Sequence, residues 1–180
     1  VMGVIAIVAG LMVAHAPLPP YEEVSERELV VAIQATWSLD VAKATTLAKG
    51  AKLGGQLGSI HPAWLLSMAY FESRFNFGAR GDCKDKRRKK TCKAFGLCQI
   101  HYHTGKSVLR GLTRQALLNP IINLAVAGLL YGRYIHKYGR RRAHVIYAGG
   151  NRCLKCTTTP TFTKRYRLMK KVIKNIKGTK

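Results

Sequence analysis

Residues 61–75 read HPAWLLSMAYFESRF, and the position of one acid in this stretch decides how the chain is read. His61 or Ser59 can cap a helix whose first turn holds Pro62, and the helical pattern continues to about Phe75. At 100° per residue, with Leu65 at the origin, Trp64, Met68, Ala69 and Phe71 fall on an apolar arc centred at about 320°. Ser67 and Arg74 fall opposite, and Glu72 falls at about 340°, inside the arc. A carboxylate on a core-facing stripe is costly unless it lies in a cleft or has a partner. Burial favours its protonated form, which is the form a general acid needs. A buried ion pair with an arginine accounts for the same position, and periodicity alone does not choose between the two.

Outward from this helix the pattern stays helical, with almost no strand alternation and no internal repeat. Ser25 and Glu28 have capping-box spacing for a helix from about Glu22 to Trp37, and Asp40 can cap another that ends near Lys52 at Gly54-Gly55. Asn76–Lys93 reads as a loop containing the basic run Lys84–Lys90. A long apolar helix is expected from Pro120 to Tyr138, with Gly139 as its C-cap, then a short one over Ala143–Tyr147. A basic final helix, Thr161–Ile176, carries Phe162, Tyr166, Met169, Val172, Ile173 and Ile176 at helical spacing. That stripe reads as a docking face, with a membrane-surface helix as the alternative.

The chain's 180 residues are 47% hydrophobic and 22% charged, a composition that buries a core and excludes disorder over most of the length. Its 31 basic and 8 acidic residues give +23. Residues 1–80 hold six bases and six acids, so all of the excess lies in residues 81–180. Such a field attracts polyanions: an acidic wall polymer, an anionic membrane surface or nucleic acid. Aromatic residues do not interleave with the basic runs, and no helix-turn-helix, zinc-finger or RNA-binding signature is present, which argues against nucleic acid.

Met2–Ala14 is apolar throughout, and Ala14-His15-Ala16 has the small-x-small form of a processing site. The run is short for a bilayer span, which needs about 20 residues, so a secretory signal or an anchor followed by the Pro17–Pro20 linker is expected. An exported protein can hold disulfides. Cys83 and Cys92 bracket the basic loop and are expected to pair; Cys153 and Cys156 form a C-x-x-C, the second candidate pair, and Cys98 is left as the free thiol. Zinc ligation is the less favoured reading, because the Cys83–Cys92 spacing is too wide for a knuckle. His61, His101 and His103 lack the spacing and acidic company of a metal site, so no metal is expected.

A standard glycosidase flanks the scissile bond with two carboxylates. Past Glu72 only Asp82 and Asp85 remain, both near the basic run, so an enzyme built here would work with one acid. Glu72-Ser73, followed by Gly96-Leu97-Cys98-Gln99-Ile100, resembles the E-S…G-L-M-Q-I signature of the soluble lytic transglycosylases. Asn119-Pro120, Asn123 and Gly128 are similar to that family's D-P-x-x-N-I-x-x-G segment, and Tyr147-Ala148-Gly149-Gly150 to its A-Y-N-A-G turn. The resemblance spans Gly55–Arg152. Cys98 stands for the usual Met, Asn119 for Asp and Ala148 for Asn, with Asn151 available as a substitute for the last.

The resemblance implies an all-α, lysozyme-like domain with minimal strand content and no cofactor. It implies cleavage of the β-1,4 bond between N-acetylmuramic acid and N-acetylglucosamine in peptidoglycan, ending in a 1,6-anhydro ring. It gives Glu72 the role of acid, Ser73 and Tyr147 that of orienting it, and Gln99 and Asn151 that of binding sugar. A goose-type lysozyme hydrolase, a non-catalytic polyanion binder and a catalytically dead peptidoglycan binder are the rivals. The expected organisation is a signal or anchor with linker over 1–20, N-terminal helices over 21–55, the lysozyme-like domain over 56–156 and the basic helix over 157–180. The expected state is a monomeric protein of the periplasm, envelope or exterior, virion-borne if a phage encodes it.

Overall fold

The computed structural model describes residues 24–83, 92–149 and 160–178. Helix α1, Glu26–Trp37, starts at Ser25, whose side chain and that of Glu28 form the reciprocal capping box. The cap places the start at Glu26 instead of Glu22, because Ser25 is held in extended backbone. Helix α2, Val41–Gly58, opens on the Asp40 carboxylate, which accepts from the Lys43 N–H at 2.8 Å. Helix α3, Pro62–Ser73, begins with the His61 Nδ1 accepting from Ala63 N–H; Ser59 caps the end of α2 instead.

Gly54-Gly55 does not end α2, contrary to the sequence expectation. These glycines lie inside the helix because it touches another helix there, α5 (Pro120–Tyr138). A Cβ on Gly54 would stand 2.3 Å from the Leu124 carbonyl oxygen, one on Gly58 2.2 Å from that of Gly128, and one on Gly128 2.0 Å from that of Gly54. Spaced four apart, the small residues form a seam along which two helix backbones meet.

A three-stranded antiparallel sheet of two-residue strands follows α3: β1 (Arg80–Gly81), β2 (Ala94–Phe95) and β3 (Ile100–His101), in that order. Arg80 faces Phe95, and Phe95 in turn faces Ile100. Strands this short leave no alternation to read. The Cys83–Cys92 disulfide closes the excursion between β1 and β2, as expected, and Cys98 is a buried free thiol. The Lys84–Lys90 run lies outside the described residues, as do the N-terminal apolar segment, Asn151, Cys153 and Cys156.

After the short α4 (Tyr102–Lys106) comes α5, capped by Asn119 Oδ1, which accepts from Ile121 and Ile122 N–H, with Pro120 in its first turn. Helix α6 runs over Arg140–Gly149 and α7 over Pro160–Lys177. Met169, Val172 and Ile176 of α7 are buried in the same cluster as Val24 and Leu29 at the other end of the chain. The apolar stripe of the last helix is thus a docking face. Of the same stripe, Phe162 and Ile173 are partly buried and Tyr166 is exposed.

The two-sided reading of α3 needs correction. Every residue from Pro62 to Ala69 is buried, including Ser67, whose hydroxyl donates to the Trp64 carbonyl at 2.8 Å. Helix α3 threads the core for two turns and emerges only in its last, where Glu72 and Ser73 are partly exposed and Arg74 is exposed. The fold is mainly helical and lysozyme-like, with the small sheet flanking the end of α3.

The seam makes a stability prediction. Gly128→Val should lower stability by about 3 kcal/mol, since backbone cannot move aside as a flexible side chain can. Gly78→Ala, with its nearest new contact at 3.7 Å, should be nearly neutral. Equal denaturant midpoints for the two variants would contradict the close approach.

Candidate active site

Glu72 does have a partner. The Nη2 of Arg165, from the first half of α7, donates to Glu72 Oε1 across 93 residues of sequence. Glu72 keeps 25% of its side chain exposed and Arg165 only 8%, so the pair sits at the boundary between core and surface. The ion-pair alternative left open by periodicity is present, on the face where the apolar arc placed the acid. Arg165 Nε is buried and has no hydrogen-bond partner among the described residues.

The Gly96–Gln99 turn lies beside this pair. Gly96 has φ +71°, and a Cβ there would stand 2.1 Å from the Leu117 carbonyl oxygen and 2.3 Å from Asn123 Nδ2. Only glycine combines that backbone with that space. Asn123, fully buried on α5, holds the turn: its Oδ1 accepts from Cys98 N–H at 2.8 Å, and its Nδ2 donates to the carbonyls of Phe95 and Leu117. One amide therefore binds β2, the turn and the segment before α5 together, which explains its place in the motif. Both donors and one acceptor lone pair are used, leaving no buried amide group without a partner.

Tyr147 of α6 donates its hydroxyl to the Cys98 carbonyl oxygen at 3.2 Å. Burial first, then nearby Cys98 and Glu72, push the Tyr147 phenol up; burial and Glu72 do the same to the Cys98 thiol. Both stay neutral at physiological pH. The structure thus gathers Glu72, the Cys98 turn and Tyr147 around one point, although the Tyr147 hydroxyl bonds to the turn and not to Glu72. Ser73 Oγ donates back to the Ala69 carbonyl at 3.1 Å, within its own helix. Gln99, at φ 48°, donates its Nε2 to the Gly96 carbonyl at 2.9 Å and lays its Oε1 over Gly81. The first contact is internal to the turn and the second ties it to β1.

Beneath the pair lies an aromatic stack that periodicity did not single out. His144 of α6 stacks on Trp64 of α3 with centroids 3.7 Å apart, and Tyr131, Phe162 and Tyr166 close around these rings from α5 and α7. Burial, then the Arg165 charge, lower His144 to about 3, so the imidazole is neutral. Arg165 and His144 were both missed, since neither is near Glu72 in sequence. At the sheet's rim, exposed His101 Nε2 meets Asp82 Oδ2 at 2.5 Å. Among the described residues no three His, Cys, Asp or Glu side chains group as metal ligands would.

A mainly helical fold with one acid emerging from the core beside a glycine turn defines the class: a lysozyme-like domain. The Transglycosylase SLT domain family matches residues 54–173, and the chain belongs to that family. The family's activity is of the lytic transglycosylase type, directed at peptidoglycan. The match extends into α7 and so includes Arg165. No curated protein and no solved structure matched the chain.

Neutral His144 makes folding depend on pH. The unfolded chain takes up this proton near 6.5, the folded protein only near 3. Between those values the unfolded form binds more protons, so stability falls as pH drops through the window, by up to about 1.4 kcal/mol per unit. His144→Phe, which keeps a ring on Trp64, should flatten the melting temperature between pH 6.5 and 4. An unchanged slope would show that His144 is not the group responsible.

Proposed function

We propose that this domain cleaves the β-1,4 bond between N-acetylmuramic acid and N-acetylglucosamine, with Glu72 as its single acid and base and a 1,6-anhydro product. The observation that carries the reading is the placement of Glu72, at the core-to-surface exit of α3 within reach of the Cys98 turn and Tyr147. The other described acids lie elsewhere: Glu26 and Glu28 in the first turn of α1, Asp40 at the α2 cap, and Asp82 at the sheet rim. No second carboxylate flanks the site among the described residues, so water activation by a second acid has no candidate there.

In this mechanism protonated Glu72 gives its proton to the glycosidic oxygen as the bond to the muramic C1 breaks. The substrate's own acetamido group stabilises the positive centre. Glu72, now a carboxylate, takes the proton of the muramic C6 hydroxyl while that oxygen closes on C1. The proton returns to the enzyme and no water enters. Tyr147 and the Gly96–Gln99 turn shape the wall against which the sugar lies; Ser73 steadies the last turn of α3 through its bond to Ala69. Gln99 reaches sugar only by giving up its bond to Gly96, and Asn151 remains a proposed sugar contact outside the described residues.

The charge has a separate role in this reading. Lys164, Arg167, Lys170, Lys171 and Lys174 line the exposed side of α7, opposite the buried Met169, Val172 and Ile176. With the apolar face in the core, this side offers charge without a surface to insert into lipid, which favours an anionic wall polymer over a membrane. No described helix is long and apolar enough to cross a bilayer. A peptidoglycan substrate and the Cys83–Cys92 disulfide are consistent with export. The polyanion-binding rival explains the charge but not the acid.

Glu72→Gln should release no muropeptides while melting as a folded protein, because the amide keeps the shape but has no proton to donate. Activity in that variant would remove the assignment. Raising salt should weaken sedimentation with whole walls steeply, since exposed charges are screened beyond about 8 Å at physiological ionic strength. Cleavage of a short soluble glycan should change far less; equal loss in both assays would place the basic surface in the active site.

A further inference from the structure

We propose that Arg165 is the receptor for a carboxylate of the peptidoglycan stem peptide, and that Glu72 is freed for catalysis when the guanidinium transfers to that carboxylate. This rests on Glu72 being the acid. A glutamate in an ion pair is in the form that has no proton to give, so the arrangement with Arg165 Nη2 on Glu72 Oε1 is a resting one.

The pair is built to let go. Arg–carboxylate pairs that hold firmly use two parallel N–H donors. Here one nitrogen is bonded, and the Nε–H is buried without a partner among the described residues. A buried donor left unmade favours any arrangement that satisfies it. The neighbours that feel the pair are Cys98 in the turn and Tyr147 and His144 on α6, and burial keeps all three neutral. None of them is a counter-charge to which Arg165 could move. An incoming anion is, and a planar carboxylate suits the guanidinium fork.

Arg165 reaches the site from α7, whose second half is fixed by Met169, Val172 and Ile176, while Lys164 and Tyr166 beside Arg165 are exposed. The side chain thus has a fixed base and is itself buried, so an anion reaches it from the solvent side of Glu72, a quarter of whose side chain is exposed. Once released, Glu72 is free to act as the acid of the proposed mechanism, and the ring-closing step returns its proton after each turnover. The ligand can shift the resting equilibrium only by its preference for the open form. A glycan without stem carboxylates therefore leaves the latch closed and is a poor substrate.

The test compares soluble glycan strands bearing native stem peptides with the same strands after their carboxylates are converted to amides. The wild-type protein should cleave the amidated strands slower by about tenfold or more in kcat/KM. Arg165→Met should cleave amidated strands faster than wild type and bring the two substrates within about twofold of each other. A structural role alone would slow both substrates by one factor. Equal rates on the two substrates with wild-type protein would overturn the proposal without any variant, whether or not Arg165→Met folds. So would a folded Arg165→Met that retains the wild-type ratio or loses both activities together. Cleavage of native strands by Glu72→Gln is a different result, and removes the reading of Glu72 on which this one stands.

Discussion

The contact on which the rest of this molecule depends is the meeting of α2 and α5 backbone to backbone. Gly54, Gly58 and Gly128 each abut the other helix's main chain, and no side chain larger than hydrogen fits at any of them. That distance sets where α3 can cross, because Leu65 of α3 packs over Gly54. It also sets where Asn123 of α5 meets the turn at Gly96. The end of α3 and the glycine turn belong to different parts of the chain, and the helix pair brings them to one place. Glu72 stands where it does because α3 is buried for two turns and runs out of core in its third.

The polar groups of the site follow from that placement. An acid emerging from a core needs either solvent or a partner, and Glu72 has some of each, with Arg165 on the core side and a quarter of its side chain in solvent. The groups around it are titratable in name only: thiol, phenol and imidazole are all neutral, so Glu72 and Arg165 carry the charge in a neutral wall. The first 80 residues, neutral in sum, hold α3 and Glu72, and the basic remainder holds α7 with its exposed lysines.

Much of this was legible where the signal is local. Ser25 with Glu28, Asp40, His61-Pro62 and Asn119-Pro120 mark helix starts because a cap is chemistry between residues two or three apart. The angular position of Glu72 could be read because its neighbours on α3 are apolar, and the Gly96 turn because its residues resemble a family motif; why glycine stands there shows only in the fold. What failed to read was tertiary. Gly54-Gly55 looks like a stop until a second helix is seen against it, and Ser67 looks exposed until α3 is seen to be surrounded. The strands are two residues long, too short for a period. Arg165 could not be assigned to Glu72 across 93 residues when many arginines were available. His144 was hidden likewise, its burial arising from α5, α6 and α7 closing around Trp64 of α3.

The measurement that bears most directly on a single-acid site is the mass of the muropeptides released from purified peptidoglycan by the wild-type protein. A site in which Glu72 gives its proton to the leaving oxygen and recovers one from the muramic C6 hydroxyl predicts muramic ends that are 1,6-anhydro, one water lighter than reducing ends. Products with reducing ends would mean that water and not the C6 hydroxyl attacks C1, and would contradict the ring-closing reading in favour of a hydrolase.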